Sequence, residues 1–433
     1  MIADAVLTLL YAFMLGWIIF KIPFFKVEGI KQHWFVSVFG LKVLAGVALY
    51  FIYTYYYTDR AKADIYRFYD DSEALYQLIF TDTRGFFANF FGFASDFNSG
   101  GKYAHLMNNW MLPYENPMYN DNRIVIRIHA IIRLFSFGSF NVHTVFFSFF
   151  SFTGLFLLAR VFYQFIGDWK HELFLGVQLI PSVMFWSSGC LKEPILFLAV
   201  GVFIHALFFL HKSPLFWRWM GLLLGTWLIL LTKFYVLATL IPPAIAYLIS
   251  RRMPEKYSLM LNVSTFLICI LIVTHIHHIF PSLNFMHMLA FKQQNFVNLA
   301  VAEQAGSIVT TEYLSPDFWD MLIKSPRALF VSFFRPLPWE VHGNAFILLP
   351  MLENVFFLLS MIWIIWNGRK SSNLSFSLFC IGFVFALYLI VGISTPVLGG
   401  VVRYKVPAIP FLWAAILSFS KRIKSRKTKW ALT

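Results

Sequence analysis

Residues 374–392 read LSFSLFCIGFVFALYLIVG, an apolar stretch that contains no charged side chain. A helix needs about 20 predominantly apolar residues to cross the hydrocarbon core of a bilayer. Comparable stretches occupy residues 1–20, 34–57, 142–166, 172–188, 193–211, 215–232, 234–250, 258–280, 346–367 and 404–420. The sequence therefore predicts an all-α fold, a polytopic transmembrane helix bundle of about eleven spans.

The composition excludes an ordinary soluble domain, because 59% of the 433 residues are hydrophobic and only 13% are charged. The formal net charge of +14 lies largely in the loops between apolar stretches and in the tail 421–429. Such a distribution is typical of cytoplasmic segments that face anionic membrane lipids, so we expect no nucleic-acid partner. The three cysteines, Cys190, Cys269 and Cys380, are too widely spaced for a metal motif or a disulfide framework.

The loops on one side of the predicted bundle collect the basic residues, which predicts an orientation. They are Lys21, Lys26, Lys31, Lys212, Arg218, Arg251, Arg252, Lys256, Arg369 and Lys370, together with the tail. With eleven spans all of them fall on the cytoplasmic side, with the C-terminus, and the N-terminus is external. Two long external loops then follow at residues 58–141 and 281–345, both with amphipathic stretches that predict interfacial helices. This divides the chain into a module at 1–280, the second loop at 281–345 and a C-terminal part at 346–433.

Acidic residues in the first external loop are candidates for a general base. If residues 63–76 form a helix, Asp64 and Asp71 lie two turns apart on one face, whereas Asp70 points elsewhere. A carboxylate in a partly apolar site is suited to proton abstraction. The alternative is that Asp64 caps the helix and that Asp70 and Asp71 belong to a solvated face.

A second group of cations lies at the external ends of spans, against the topological rule. Its members are Lys192, Lys233, Arg335 and Arg403. Fixed cations at this depth predict a site for an anion, and a lipid phosphate is the natural candidate. The alternative is that each is a snorkelling side chain or a member of an ion pair.

The second external loop contains a stiff segment, Arg335-Pro336-Leu337-Pro338-Trp339-Glu340. A rigid, aromatic and charged loop at the membrane surface would suit sugar or acceptor binding, or else Arg335 and Glu340 pair and pin the loop. Glu353 lies inside the ninth span and is expected to face the bundle interior or a cavity. The histidines at 275, 277 and 278 form an interfacial polar cluster rather than a metal site, so no tightly bound cofactor is predicted; a divalent metal stays an open alternative that no motif supports.

Four segments occur in an order that resembles a known superfamily. They are FSFGSFNVH at 135–143, PSVMFWSSG at 181–189, LLTKFY at 230–235 and RYKVPAIPFL at 403–412. Together with the acidic external loop they resemble the GT-C integral-membrane glycosyltransferases, the group of protein mannosyltransferases and lipid A aminoarabinose transferases. The resemblance covers residues 55–250 and the last span. The chain departs from the pattern in its additional first span, and either Asp64 or the Asp70–Asp71 pair would match the family's acids.

The resemblance implies a glycosyltransferase in the plasma membrane of a bacterium. It would transfer a sugar from a polyprenyl-phosphate-linked donor to a glycan, lipid or protein acceptor on the external face. Two alternatives stay open. One is an O-antigen-type polymerase or ligase, which would use loop arginines instead of an early acid, and the other is a transporter or flippase.

Overall fold

The structure is a computed structural model that describes residues 2–57, 59–61, 63–92, 103–110, 120–209, 214–340, 345–371 and 373–421. Within these ranges every regular element is helical, and the only strand-like pairing is an isolated bridge between Ile308 and Val397. Eight of the described helices are long and apolar enough to cross a membrane. The prediction of an all-α polytopic bundle is therefore confirmed, and the chain is an integral membrane protein.

The α-helices are numbered along the chain. They are α1 Ile2–Lys21, α2 Gln32–Tyr55, α3 Asp64–Thr81, α4 Thr83–Phe91, α5 Asn122–Ser136, α6 Phe140–Tyr163, α7 Val177–Leu179, α8 Pro181–Trp186, α9 Lys192–Phe208, α10 Leu215–Ser250, α11 Ser258–His275, α12 Phe285–Ala302, α13 Phe318–Phe334, α14 Ala345–Asn367, α15 Leu374–Ser394, α16 Leu398–Lys405 and α17 Ile409–Phe419.

The fourth predicted span is a broken crossing that runs antiparallel to α6. Gln178 donates a hydrogen bond to the carbonyl of Phe152 at 2.9 Å, and further along Ser148 donates to the carbonyl of Ser188 at 3.0 Å. The helix breaks at Ile180, which is extended (φ −55°, ψ 123°) and precedes Pro181. A proline disfavours the helical conformation of the residue before it, so the break follows directly from the sequence.

Helix α10 is two helices joined at Lys233, whose φ of −150° and ψ of 88° are not helical. Gly225, before the break, lies against the backbone of Phe203 in α9. After the break, Tyr247 stacks on Phe208 at the far end of α9, with ring centroids 4.4 Å apart. Because both halves extend from Lys233 toward the Phe208 end of α9, the chain reverses direction at Lys233. The sequence prediction of two spans here agrees with this hairpin.

Helices α3, α4 and α5 of the first loop form a separate layer over one end of the bundle. We call it the Glu193 end, after the residue in the first turn of α9. Their apolar core contains Phe68, Leu75 and Trp110, and it continues into the bundle through Phe147 and Ile195. The loop is therefore packed onto the first turns of α6 and α9, and α9 begins with the candidate cation Lys192.

Part of the second loop packs beside the bundle helices. Helix α13 runs antiparallel to α15, where Ser332 donates a hydrogen bond to the carbonyl of Tyr388 at 2.7 Å. The two backbones approach closely at Gly392, where a Cβ atom would lie 2.0 Å from the carbonyl oxygen of Ala328. The segment that follows α13 is thereby brought beside α14 and α16.

Candidate functional site

Arg403 is the centre of a charged cluster at the Glu193 end. Its Nη1 donates to Asp64 Oδ2 at 2.6 Å, and its Nε and Nη2 donate to the two Glu193 oxygens at 2.8 and 3.2 Å. Arg403 lies in the last turn of α16, whereas the two acids lie in the first turns of α3 and α9. Carboxylates are favourable at helix N-termini, so the ends of three helices define this position.

Lys233 completes the cluster. Its Nζ donates to Glu193 Oε1 at 2.8 Å and lies 4.4 Å from the ring centroid of Tyr404. The side chain reaches Glu193 because Lys233 occupies the turn between the two halves of α10. We call Asp64, Glu193, Lys233 and Arg403 the Arg403 cluster. The negative charges of its two carboxylates balance the positive charges of Lys233 and Arg403.

Lys192 lies beside the cluster but points to another acid. Its Nζ donates to Asp121 Oδ1 at 2.5 Å, just before α5. Both side chains are largely buried, with 14% and 18% of their surface exposed. Three of the four predicted cations, Lys192, Lys233 and Arg403, thus lie together at one end of the bundle, each in an ion pair.

Asp64 is the predicted acid that joins the cations. Burial alone would raise the pKa of its carboxyl, but the Arg403 guanidinium, supported by Lys192 and Arg67, holds that pKa below its ordinary value. Asp64 is therefore a carboxylate at neutral pH. With 35% of its side chain exposed, it is accessible from solvent.

The other two predicted acids lie outside the cluster. Asp71 is buried and accepts hydrogen bonds from the backbone N–H groups of Asn108 and Asn109, at 3.1 and 2.7 Å. Burial raises the pKa of its carboxyl, an effect that these hydrogen bonds partly offset. Asp70 is exposed and accepts from Arg60 at 2.6 Å. Asp71 therefore fixes the backbone at Asn108 and Asn109 against α3, while Asp70 takes part in a surface ion pair.

Arg335 and Glu340 form an ion pair with each other. Glu340 also accepts from the backbone N–H of Leu337 at 2.7 Å, and the Arg335 carbonyl accepts from Asn354 at 2.8 Å. This geometry matches the alternative stated above, in which Arg335 and Glu340 pair with each other and fix the conformation of the loop. Their ion pair is made within the loop itself.

Glu353 faces the bundle interior, as predicted. It is 7% exposed and accepts a hydrogen bond from the backbone N–H of Ser182 at 2.8 Å. The adjacent Asn354 accepts from Lys405 at 2.9 Å, and Lys405 also donates to the carbonyl of Ser332. These hydrogen bonds connect α8, α13, α14 and α16, so Glu353 belongs to a buried polar contact region between these helices.

Three residues of this region, Glu193, Asp121 and Tyr235, were not predicted as site residues from the sequence. Glu193 is fully buried and binds both cations of the cluster, yet the sequence showed it only as the neighbour of Lys192, a residue too close along a helix to pair with it. The signal available was an acid at the first turn of an apolar span, which needs a cation inside the fold. The Tyr235 hydroxyl, two residues after Lys233, is buried with no hydrogen-bond partner within the part of the chain that the structure describes.

The described residues contain no group of three or more His, Cys, Asp or Glu side chains that could hold a metal ion. What the cluster offers chemically is a solvent-accessible carboxylate beside fixed cations and aromatic rings, with Trp186 5.4 Å from Arg403.

Comparison with known proteins gives no match to a family model, to a curated protein or to a solved structure. The resemblance to GT-C glycosyltransferases therefore rests only on the segments quoted from the sequence.

Proposed function

We propose that the protein is a membrane glycosyltransferase that transfers a sugar from a polyprenyl-phosphate-linked donor to an acceptor hydroxyl. The observation that carries the proposal is the contact of Arg403 with Asp64 beside Lys233, at the end of a transmembrane bundle. A carboxylate and two cations in one polar site are the groups that such a transfer requires.

The reaction divides between these groups. The acceptor oxygen forms a bond to the anomeric carbon, and its proton passes to the Asp64 carboxylate. The bond from the anomeric carbon to the phosphate oxygen breaks, and its electron pair leaves with the lipid phosphate. Arg403 and Lys233 stabilise the charge that develops on this leaving group, because fixed cations need no reorganisation as the reaction proceeds.

The surroundings of the cluster suit a lipid donor. Lys233 lies at the turn of a transmembrane hairpin, so a phosphate beside it would be at the depth of the headgroups while its polyprenyl chain stays in hydrocarbon. The Tyr235 hydroxyl, which has no hydrogen-bond partner among the described residues, would donate to a phosphate or sugar oxygen. On the basis of the loop charges we propose that this end lies on the external face of the membrane and that the C-terminus is cytoplasmic. A bacterial plasma membrane is what the resemblance implies. The acceptor is a glycan, a lipid or a protein.

The test is donor cleavage by purified protein in liposomes that contain a panel of polyprenyl-phosphate monosaccharides. Wild-type protein should release polyprenyl phosphate from at least one donor when an acceptor is present. Arg403→Gln should lose both donor affinity and turnover, because its charge is met in the ground state and in the transition state.

The matched control is Arg369→Gln, which removes an arginine that pairs with Asp168 at 3.2 Å outside the cluster. Equal loss in both arginine variants would point to a general effect on folding. Release of polyprenyl phosphate from no donor would favour the polymerase or transporter alternatives.

A further inference from the structure

We propose that Asp64 is a latch on Arg403, which the phosphate of the incoming lipid displaces, so that donor binding frees the base. This inference rests on the proposed function and concerns the regulation of the same site. Its starting point is that carboxylates already engage both cations of the Arg403 cluster: Glu193 binds Lys233 and Arg403, and Asp64 binds Arg403.

An anion that takes the Nη1 position of Arg403 competes with the carboxylates that already hold this guanidinium. Glu193 is a poor candidate for displacement. It is fully buried and accepts three hydrogen bonds from Arg403 and Lys233. A buried carboxylate stripped of its partners is strongly destabilised, so Glu193 stays as the fixed counter-ion.

Asp64 is the carboxylate that can leave. It accepts one hydrogen bond from Arg403, at 2.6 Å, and its second oxygen lies 3.8 Å from Arg67. Because 35% of the side chain is exposed, water can solvate the carboxylate when Arg403 turns to another anion. The vacated Nη1 position of Arg403 is then available to a phosphate oxygen.

The consequence is an order of events. Before the donor binds, Asp64 is held in an ion pair and its basicity is low. After a phosphate replaces it on Arg403, the carboxylate is free to accept a proton from the acceptor. Occupancy of the phosphate site and readiness of the base are therefore coupled, and by linkage the coupling is reciprocal.

The experiment measures equilibrium binding of radiolabelled polyprenyl phosphate to purified protein in nanodiscs at pH 7.5. Asp64→Asn should bind the lipid about fivefold or more tightly than wild type, the lower range of typical linkage between sites. The gain should vanish when Arg403→Gln is combined with Asp64→Asn, because the competition takes place on Arg403. Asp168→Asn, which removes the same charge from an Asp–Arg pair outside the cluster, should bind as wild type does.

Unchanged or weaker lipid binding by Asp64→Asn would overturn the latch, as would a gain that persists without Arg403. A parallel arm uses inorganic phosphate, which should also bind more tightly to Asp64→Asn. A gain for inorganic phosphate alone would overturn the lipid assignment. Binding is read without any transfer, so failure of the latch is distinguishable from failure of the proposed reaction. The latter would appear as phosphate-lipid binding with no sugar transfer from any donor.

Discussion

Arg403 Nη1 lies 2.6 Å from Asp64 Oδ2, a contact between residues that are 339 positions apart in the chain. It connects the first helix of the first loop to the start of the last span. The sequence points to the two residues for separate reasons, to Asp64 as a base and to Arg403 as a phosphate ligand. Their contact makes the two roles parts of one site and leads to the predictions below.

As the pH is lowered, kcat should begin to fall at a higher pH than kcat/KM does. A base is active when deprotonated, so the rate falls as the pH drops through its pKa. In the free protein Arg403 holds the Asp64 pKa below the ordinary value, and kcat/KM reports that state. In the donor complex Asp64 has lost this cation, so the limb in kcat should lie at higher pH. A sugar-phosphate diester donor does not itself titrate in this range, and coincident limbs would contradict the latch.

Asp71→Asn should lower stability more than it affects donor affinity. The Asp71 carboxylate accepts from two backbone N–H groups, and an asparagine side chain offers only one acceptor oxygen to them. A buried group left unsatisfied costs about 1–3 kcal/mol, which thermal unfolding in detergent can measure. A variant with wild-type stability but no donor binding would instead place Asp71 in the site.

Gly392→Ala should destabilise the packing of α13 on α15. The new methyl group would meet the Ala328 carbonyl oxygen at 2.0 Å, and overpacking of this kind typically costs about 1–3 kcal/mol. Gly399→Ala is the matched control, because nothing lies within 4 Å of a Cβ atom there. A loss of stability that is equal in the two variants would argue against this contact.

Labelling of single-cysteine variants in intact cells checks the orientation. A cysteine at Gly306, in the second loop, should react with an impermeant reagent added outside. A cysteine at Ser372, between the predicted spans 346–367 and 374–392, should react only after the membrane is permeabilised. Labelling of position 372 from outside would invert the topology and remove the lipid-phosphate argument.

Much of the fold was predictable because hydrocarbon demands long apolar helices, and the stretch at 374–392 satisfies that demand almost residue for residue in α15. The turn at Lys233 could also be predicted from the sequence, because a charged residue between two apolar stretches marks where one span ends and the next begins. The packing of α13 against α15 could not be predicted, because it depends on a close approach of the two backbones at Gly392 that no sequence periodicity reveals.

The site was predictable in part. Charges against the topological rule pointed to Lys192, Lys233 and Arg403, and the first-loop helix pointed to Asp64. Glu193 was overlooked because its partners, Lys233 and Arg403, are 40 and 210 positions away in sequence. Arg335 was grouped with the other cations although its partner, Glu340, is only five positions away.

The most direct test of the account is the transfer rate of Asp64→Asn in liposomes with a donor that the wild-type protein cleaves. Loss of a general base typically costs about 10²–10⁴-fold in rate, and donor binding should be retained or strengthened in this variant. Asp168→Asn serves as the control for a lost carboxylate elsewhere. Wild-type turnover by Asp64→Asn, with the loss found instead in Asp70→Asn or Asp71→Asn or in none of them, would contradict the assignment of Asp64 as the base.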